Sequence, residues 1–167
     1  MIEYREITSA DGDLVGTLKI ESGVLTKFTY DEGSRDMPFV LSEIDLFGVD
    51  RIGYAAFLGC VGLTSIKIPE SLKSIGKCAF NGCTGLNSIE ISGRTSIGEG
   101  AFWGCTGLRS VEIGGSVTCI GQDAFQECTS LASIKMRVSV NEDKIEIEKK
   151  IRNAERTLGC IIIELEK

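Results

Sequence analysis

From residue 52 to residue 136 the apolar positions recur as a block rather than with the short period of a single helix or strand. Four copies run over 52–68, 75–91, 97–113 and 120–136, opening at Ile52, Ile75, Ile97 and Ile120, which are 23, 22 and 23 residues apart. Their shared form is I-G-x-x-A-F-x-x-C-x-x-L-x-S-[IV]-x-[IM]. A unit this short cannot bury its apolar face alone. A fixed period of about 20 to 30 residues therefore predicts a solenoid in which neighbouring coils share one continuous core.

Each copy carries two local patterns. In the second, Leu86-Asn87-Ser88-Ile89-Glu90-Ile91 alternates polar and apolar from Ser88 onward, the period of a half-buried strand. The counterparts are Leu63, Ile66, Ile68; Leu108, Val111, Ile113; and Leu131, Ile134, Met136. Stacked in register they predict a parallel sheet, one strand per coil, about 4.8 Å apart. Upstream, Ala-Phe-x-x-Cys predicts a short helical or 3₁₀ arch whose phenylalanine (Phe57, Phe80, Phe102, Phe125) points inward. The glycines at Gly53, Gly76, Gly98 and Gly121 lead into that arch, where a positive φ or a close backbone approach would need them. The expected class is an α/β solenoid with a parallel sheet on one face and short helical arches on the other.

The open ends of a solenoid need polar caps. Residues 18–21 and 24–30 flank Ser22-Gly23 and read as a β-hairpin, with 39–41 as a further short strand. Residues 1–51 are assigned to this cap together with a degenerate first coil, and 52–140 to the four repeats. Residues 141–167 form the C-terminal cap: Asn141 starts a helix over 142–158 that Gly159 stops, and 160–165 form a last strand. Ile147, Ile151, Ala154 and Leu158 would share the helical face lying over the final coil.

The segment 75–89, IGKCAFNGCTGLNSI, closely resembles the BspA-type leucine-rich repeats of bacteria and some protists, and 20–28, IESGVLTKF, resembles a lead-in found before such repeats. The likeness is strong over 52–136 and looser at the C-terminal end. It implies a curved, right-handed leucine-rich-repeat coil used for protein–protein contact, often in adhesion at cell surfaces.

Composition narrows the chemistry. Net charge is −6 and the pI about 4.8, so a phosphate backbone is not the expected partner. No apolar run is long enough to span a bilayer, so membrane insertion is not expected. The chain has no histidine, which removes Ser-His-Asp and Cys-His nucleophiles and every His-containing zinc site. No enzyme, cofactor or metal is expected. The rival readings are a self-assembling scaffold and, distantly, an enzyme with a convergent carboxylate, Lys, Cys or Ser site.

Cysteine is the residue that most invites chemistry. Cys60, Cys83, Cys105 and Cys128 occupy one repeat position, so stacking would set them in a line about 4.8 Å apart. A line is not a tetrahedron, and parallel Cβ vectors at that spacing lie beyond disulfide range. They are expected to be buried thiols filling space as small apolar groups. Cys78, Cys119 and Cys160 break the column and are read as incidental, with redox pairing the alternative. An odd total of 7 cysteines and an N-terminus without a signal-peptide pattern favour a reducing cytoplasm; the alternative is the cell surface or secretion after removal of a leader.

The candidate binding surface is the outward side of the sheet: Ser65, Lys67, Ser88, Glu90, Ser110, Glu112, Ser133 and Lys135, widened by Asn87 and Arg109. Its second row reads Lys-Glu-Glu-Lys, so two of its three neighbouring pairs attract. The competing anchor is Trp103, with Leu58 beside it on the arch side. The expected partner is a protein, and the chain itself a monomer or weak oligomer.

Overall fold

In a computed structural model of the chain, the described residues are 1–8, 14–30, 44, 46–114, 116–137 and 162–166, with backbone alone at 30, 133 and 162–166. They form eleven strands. An N-terminal group comprises β1 (Ile2–Thr8), β2 (Leu14–Glu21) and β3 (Val24–Tyr30). Four two-residue strands open the copies: β4 (Arg51–Ile52), β5 (Ser74–Ile75), β7 (Ser96–Ile97) and β9 (Cys119–Ile120). Longer strands close three of the copies, β6 (Ser88–Ile91), β8 (Ser110–Ile113) and β10 (Ser133–Arg137), and β11 (Ile162–Glu166) follows.

From the second copy onward each copy thus touches the next along two ladders, while the first and second share the β4–β5 ladder. One sheet has the order β1-β2-β3-β4-β5-β7-β9 and the other β11-β10-β8-β6. All pairings between copies are parallel, while β1, β2 and β3 pair antiparallel. The core lies between the sheets and the arches, and holds Ile75, Phe80, Cys83, Leu86, Ile89 and Ile91 of the second copy with their counterparts.

The arches are turns, which corrects the expected helical or 3₁₀ form; among the described residues there is no helix. The cause is where the backbone N–H groups go. Alternate ones donate to the next coil: Ala55 to Lys77, Phe57 to Ala79 and Gly59 to Asn81, at 3.0, 2.7 and 2.7 Å. Those between close i→i−3 turns, as Leu58 to Ala55 and Cys60 to Phe57, both 3.1 Å. A helix would need all of them for itself. Left-handed residues also break each arch twice, at Ala55, Cys78, Gly100 and Asp123 (φ 51–57°) and at Gly59, Gly82, Gly104 and Glu127 (φ 60–72°). The glycines of the I-G pair serve close approach instead: a Cβ on Gly76 would meet the Gly53 carbonyl carbon and oxygen at 2.6 Å.

The hairpin was expected, and its Ser22-Gly23 turn has φ of 50° and 78°, the left-handed pair that suits a two-residue connection. Strand β1 was not expected. The hairpin also imitates a coil. Leu25 pairs with Ile52, its carbonyl accepts from Gly53 N–H at 2.7 Å as Ile52's does from Gly76 at 2.8 Å, and Phe28 N–H donates to Ala56 as Phe57 does to Ala79. Phe28 thereby joins the ring column Phe28–Phe57–Phe80–Phe102–Phe125, with centroid spacings of 5.9, 5.0, 5.1 and 5.1 Å. The expected strand at 39–41 and helix at 142–158 lie outside the described residues. The last strand, expected over 160–165, is described over Ile162–Glu166 and pairs in parallel with β10, Ser133 against Ile162.

Candidate functional site

Alternation along β6 and β8 divides the side chains cleanly. Ile89, Ile91, Val111 and Ile113 enter the core, while Ser88, Glu90 and Ser110 are exposed and Glu112 is half-buried. The parallel register sets Ser88 against Ser110 and Glu90 against Glu112, then Ser110 against Ser133 and Glu112 against Lys135. Asn87 and Arg109 flank these rows and are exposed, and Arg109 N–H donates to the Asn87 carbonyl at 2.8 Å. The structure therefore brings seven of the ten face residues onto one continuous sheet surface and sets the Ser133 backbone in register beside them.

Ser65 and Lys67 depart from the expectation. Ser65 makes an isolated bridge to Ser88, and past it the first copy forms no ladder with β6. Pro69 follows that segment, lacking an N–H and fixed in φ, and the connector it opens is a residue longer than the next. The chain diverges there and leaves an open cleft of about 1060 Å³, with Lys67, Glu70, Glu90, Ile44 and the exposed Phe47 among its lining.

The charge row also differs. Glu90 and Glu112 face each other directly, and Arg137 at the end of β10 is the group that bridges them, with its guanidinium 3.1 Å from Glu112 and 4.0 Å from Glu90. Arg137 lies one residue past the repeat motif. Its signal was its place two residues after Lys135, on the same face of an extended strand.

Trp103 and Leu58 are not neighbours, which corrects the expected pairing. Gly59 N–H donates to Asn81 and Gly82 N–H to Trp103, so Asn81's coil lies between the two. Leu58 is 58% exposed and Trp103 41%. A Cβ added at Gly100 would lie 3.6 Å from both the Trp103 indole and the Cys78 sulfur, so the ring folds over its own turn.

The cysteine column is buried as expected, but its thiols do more than fill space. Cys83, Cys105 and Cys128 each donate an S–H bond of 3.1 Å to the carbonyls of Phe57, Phe80 and Phe102 in the preceding coil. Contact with the Cys60 thiol, then burial, pushes Cys83 well above the usual thiol range; Cys128 and burial do the same to Cys105. Both are neutral, unreactive groups at physiological pH. Among the described residues no His, Cys, Asp or Glu cluster has metal-binding geometry.

The family model for the BspA type leucine rich repeat region matches residues 41–152 in 6 copies. The chain belongs to the BspA-type leucine-rich repeat family. Two of those copies exceed the four read from the motif. The buried Ile44, Leu46, Val49 and Ile52, spaced 2, 3 and 3, nearly repeat Ile66, Ile68, Leu72 and Ile75 and so mark a degenerate coil before residue 52. Among solved structures, a leucine-rich repeat protein of Bacteroides capillosus is 27% identical over 73% of this chain and 94% of its own, with a TM-score of 0.55. One from Bacteroides ovatus is 27% identical over 73% of this chain, with a TM-score of 0.54, but only 31% of that protein is covered. A leucine-rich cell surface protein of Faecalibacterium prausnitzii is 29% identical over 89% of this chain and 40% of its own, with a TM-score of 0.50. No curated protein matches the chain. Its relatives in the BspA-type family share a solenoid of parallel-strand coils, an architecture that typically works by contacting other proteins.

Proposed function

We propose that this chain is a non-catalytic module that binds a protein partner through the sheet face of its solenoid, centred on Glu90, Arg109 and Glu112. The observation that carries this reading is the register. Ser88, Ser110 and Ser133, and Glu90, Glu112 and Lys135, stand in straight rows on a rigid parallel sheet. Such a surface carries residues of both signs at strand spacing on a paired backbone, so a partner need not order that backbone on binding. The cleft beside Lys67 and Glu90 extends it toward the first copy.

Placement at a cell surface is favoured by the F. prausnitzii relative, which is described as a cell surface protein. Among the described residues no helix is long and apolar enough to cross a membrane. An adhesive role accords with that placement.

The test is capture of surface proteins from the source bacterium by the immobilised chain, its Glu90→Lys/Glu112→Lys variant and its Trp103→Ala variant. The sheet-face reading expects the double reversal to weaken capture at low salt and the difference to shrink at high salt, since exposed charges act mainly through screened long-range attraction. Capture lost only with Trp103→Ala would move the site to the arches.

A further inference from the structure

The seven-stranded sheet ends at β1, and among the described residues no strand pairs with its outer side. The strand is seven residues long and carries no proline. Ser22 N–H donates to the Met1 carbonyl at 3.0 Å, and this bond fixes the parity of the strand up to the register shift between Ile7 and Thr8. The odd residues 1, 3, 5 and 7 turn their backbone groups toward β2, so Ile2, Tyr4 and Glu6 turn theirs outward.

An edge left unpaired by the described residues offers a row of N–H and C=O groups to a further strand. We infer that β1 is a homodimer interface, joining the β1 strand of a second copy in antiparallel fashion about a two-fold axis through Tyr4.

Parity and charge select that register. Two identical strands can pair only where outward groups meet outward groups, so the axis must pass through a residue and not between two. An axis at Arg5 sets Arg5 against the partner's Arg5, and one at Glu3 sets Glu3 against the partner's Glu3, both repulsive. An axis at Tyr4 sets Glu3 against the partner's Arg5 and Arg5 against the partner's Glu3. It also pairs Tyr4 with the partner's Tyr4, and Ile2 with the partner's Glu6 through outward backbone groups. Glu3 and Arg5 already form an ion pair of 2.6 Å along the strand, so two such pairs would merge into one alternating cluster. Ile2 and Tyr4 are 56% and 65% exposed in the single chain, and this pairing would cover apolar surface on both. The inference is independent of which face binds a partner. Its consequence would be two binding faces in one particle, which raises avidity for a repeated ligand.

Sedimentation equilibrium of the purified chain, from about 10 µM to about 1 mM, reads the association directly. Glu3→Arg and Arg5→Glu should each weaken it at least about tenfold, because each places like charges opposite one another twice across the axis. Glu3→Arg combined with Arg5→Glu restores the opposite-charge pairing and should restore the dimer. Tyr4→Pro removes an outward N–H that β2 does not use. It should abolish the dimer while leaving the melting temperature of the monomer within a few degrees. A wild-type chain that stays monomeric throughout the range overturns the inference, as does a dimer indifferent to Tyr4→Pro. A dimer that the double swap fails to rescue overturns the register.

Discussion

The ring of Phe80 lies 5.1 Å from that of Phe102, with the two planes 2° from parallel. Each ring is fully buried and has a further ring on its other side. Truncating either removes a ring from the middle of a column whose spacing the two ladders fix, so the space cannot close. Phe80→Ala should cost about 3 to 5 kcal/mol. Asn81→Ala, one residue along on the surface side, should cost under about 0.5 kcal/mol. Urea unfolding compares the two, and equal losses would contradict the inward arch.

Glu127 holds φ at 60°, where the equivalent residues of the other copies are Gly59, Gly82 and Gly104. A side-chain-bearing residue in the left-handed region is strained. Glu127→Gly should therefore stabilise the chain by about 0.5 to 1 kcal/mol, against the usual penalty of adding glycine. Gly76→Ala, whose Cβ would press on the Gly53 backbone at 2.6 Å, should destabilise it by about 1 to 3 kcal/mol or more. Thermal melts of the two variants should move in opposite directions.

The Cys83 thiol is held above its ordinary value of 9.0 by the Cys60 thiol and by burial. A raised folded-state pKa gives stability that is fully present below the unfolded value and is lost as pH rises past it, because only the unfolded chain then releases the proton. Wild type should lose stability relative to Cys83→Ser above about pH 9, by at most about 1.4 kcal/mol per pH unit, and the difference should be flat from pH 6 to 8. A difference already sloping at pH 7 would contradict a buried neutral thiol.

These contrasts show what the sequence made legible. Columns such as Ile75, Phe80, Cys83 and Leu86 could be read because burial demands the same residue at the same place in every coil. The path of the arch could not, since it depends on N–H groups donating between coils, which no side chain reports. The recurring Gly59, Gly82 and Gly104 were its one available sign. Arg137 was missed because it lies beyond the motif, and β1 because its apolar residues change faces between Tyr4 and Ile7. The strand register from β6 onward was legible in the repeated alternation, whereas the end of the ladder before Lys67, where the first copy leaves it, was not.

Arg137 stands between two carboxylates that face each other across β6 and β8. Arg137→Ala should leave Glu90 and Glu112 repelling, at a cost of about 0.5 kcal/mol for one exposed and one half-buried carboxylate. High salt should remove most of that loss. A loss that persists in 1 M salt, a concentration at which the screening length falls to about 3 Å, would mean that Arg137 acts through packing instead.

Site-specific photo-crosslinking tests the sheet-face reading most directly. A photoreactive residue placed at Ser110, in the middle of the face, is compared with one at Trp103 and one at Gln122 on the arches. Each variant is irradiated with the surface-protein fraction of the source bacterium. The account predicts a discrete protein adduct from position 110 that excess unlabelled chain competes away, and none from 103 or 122. Competable adducts from position 103 or 122 with none from 110 would contradict it.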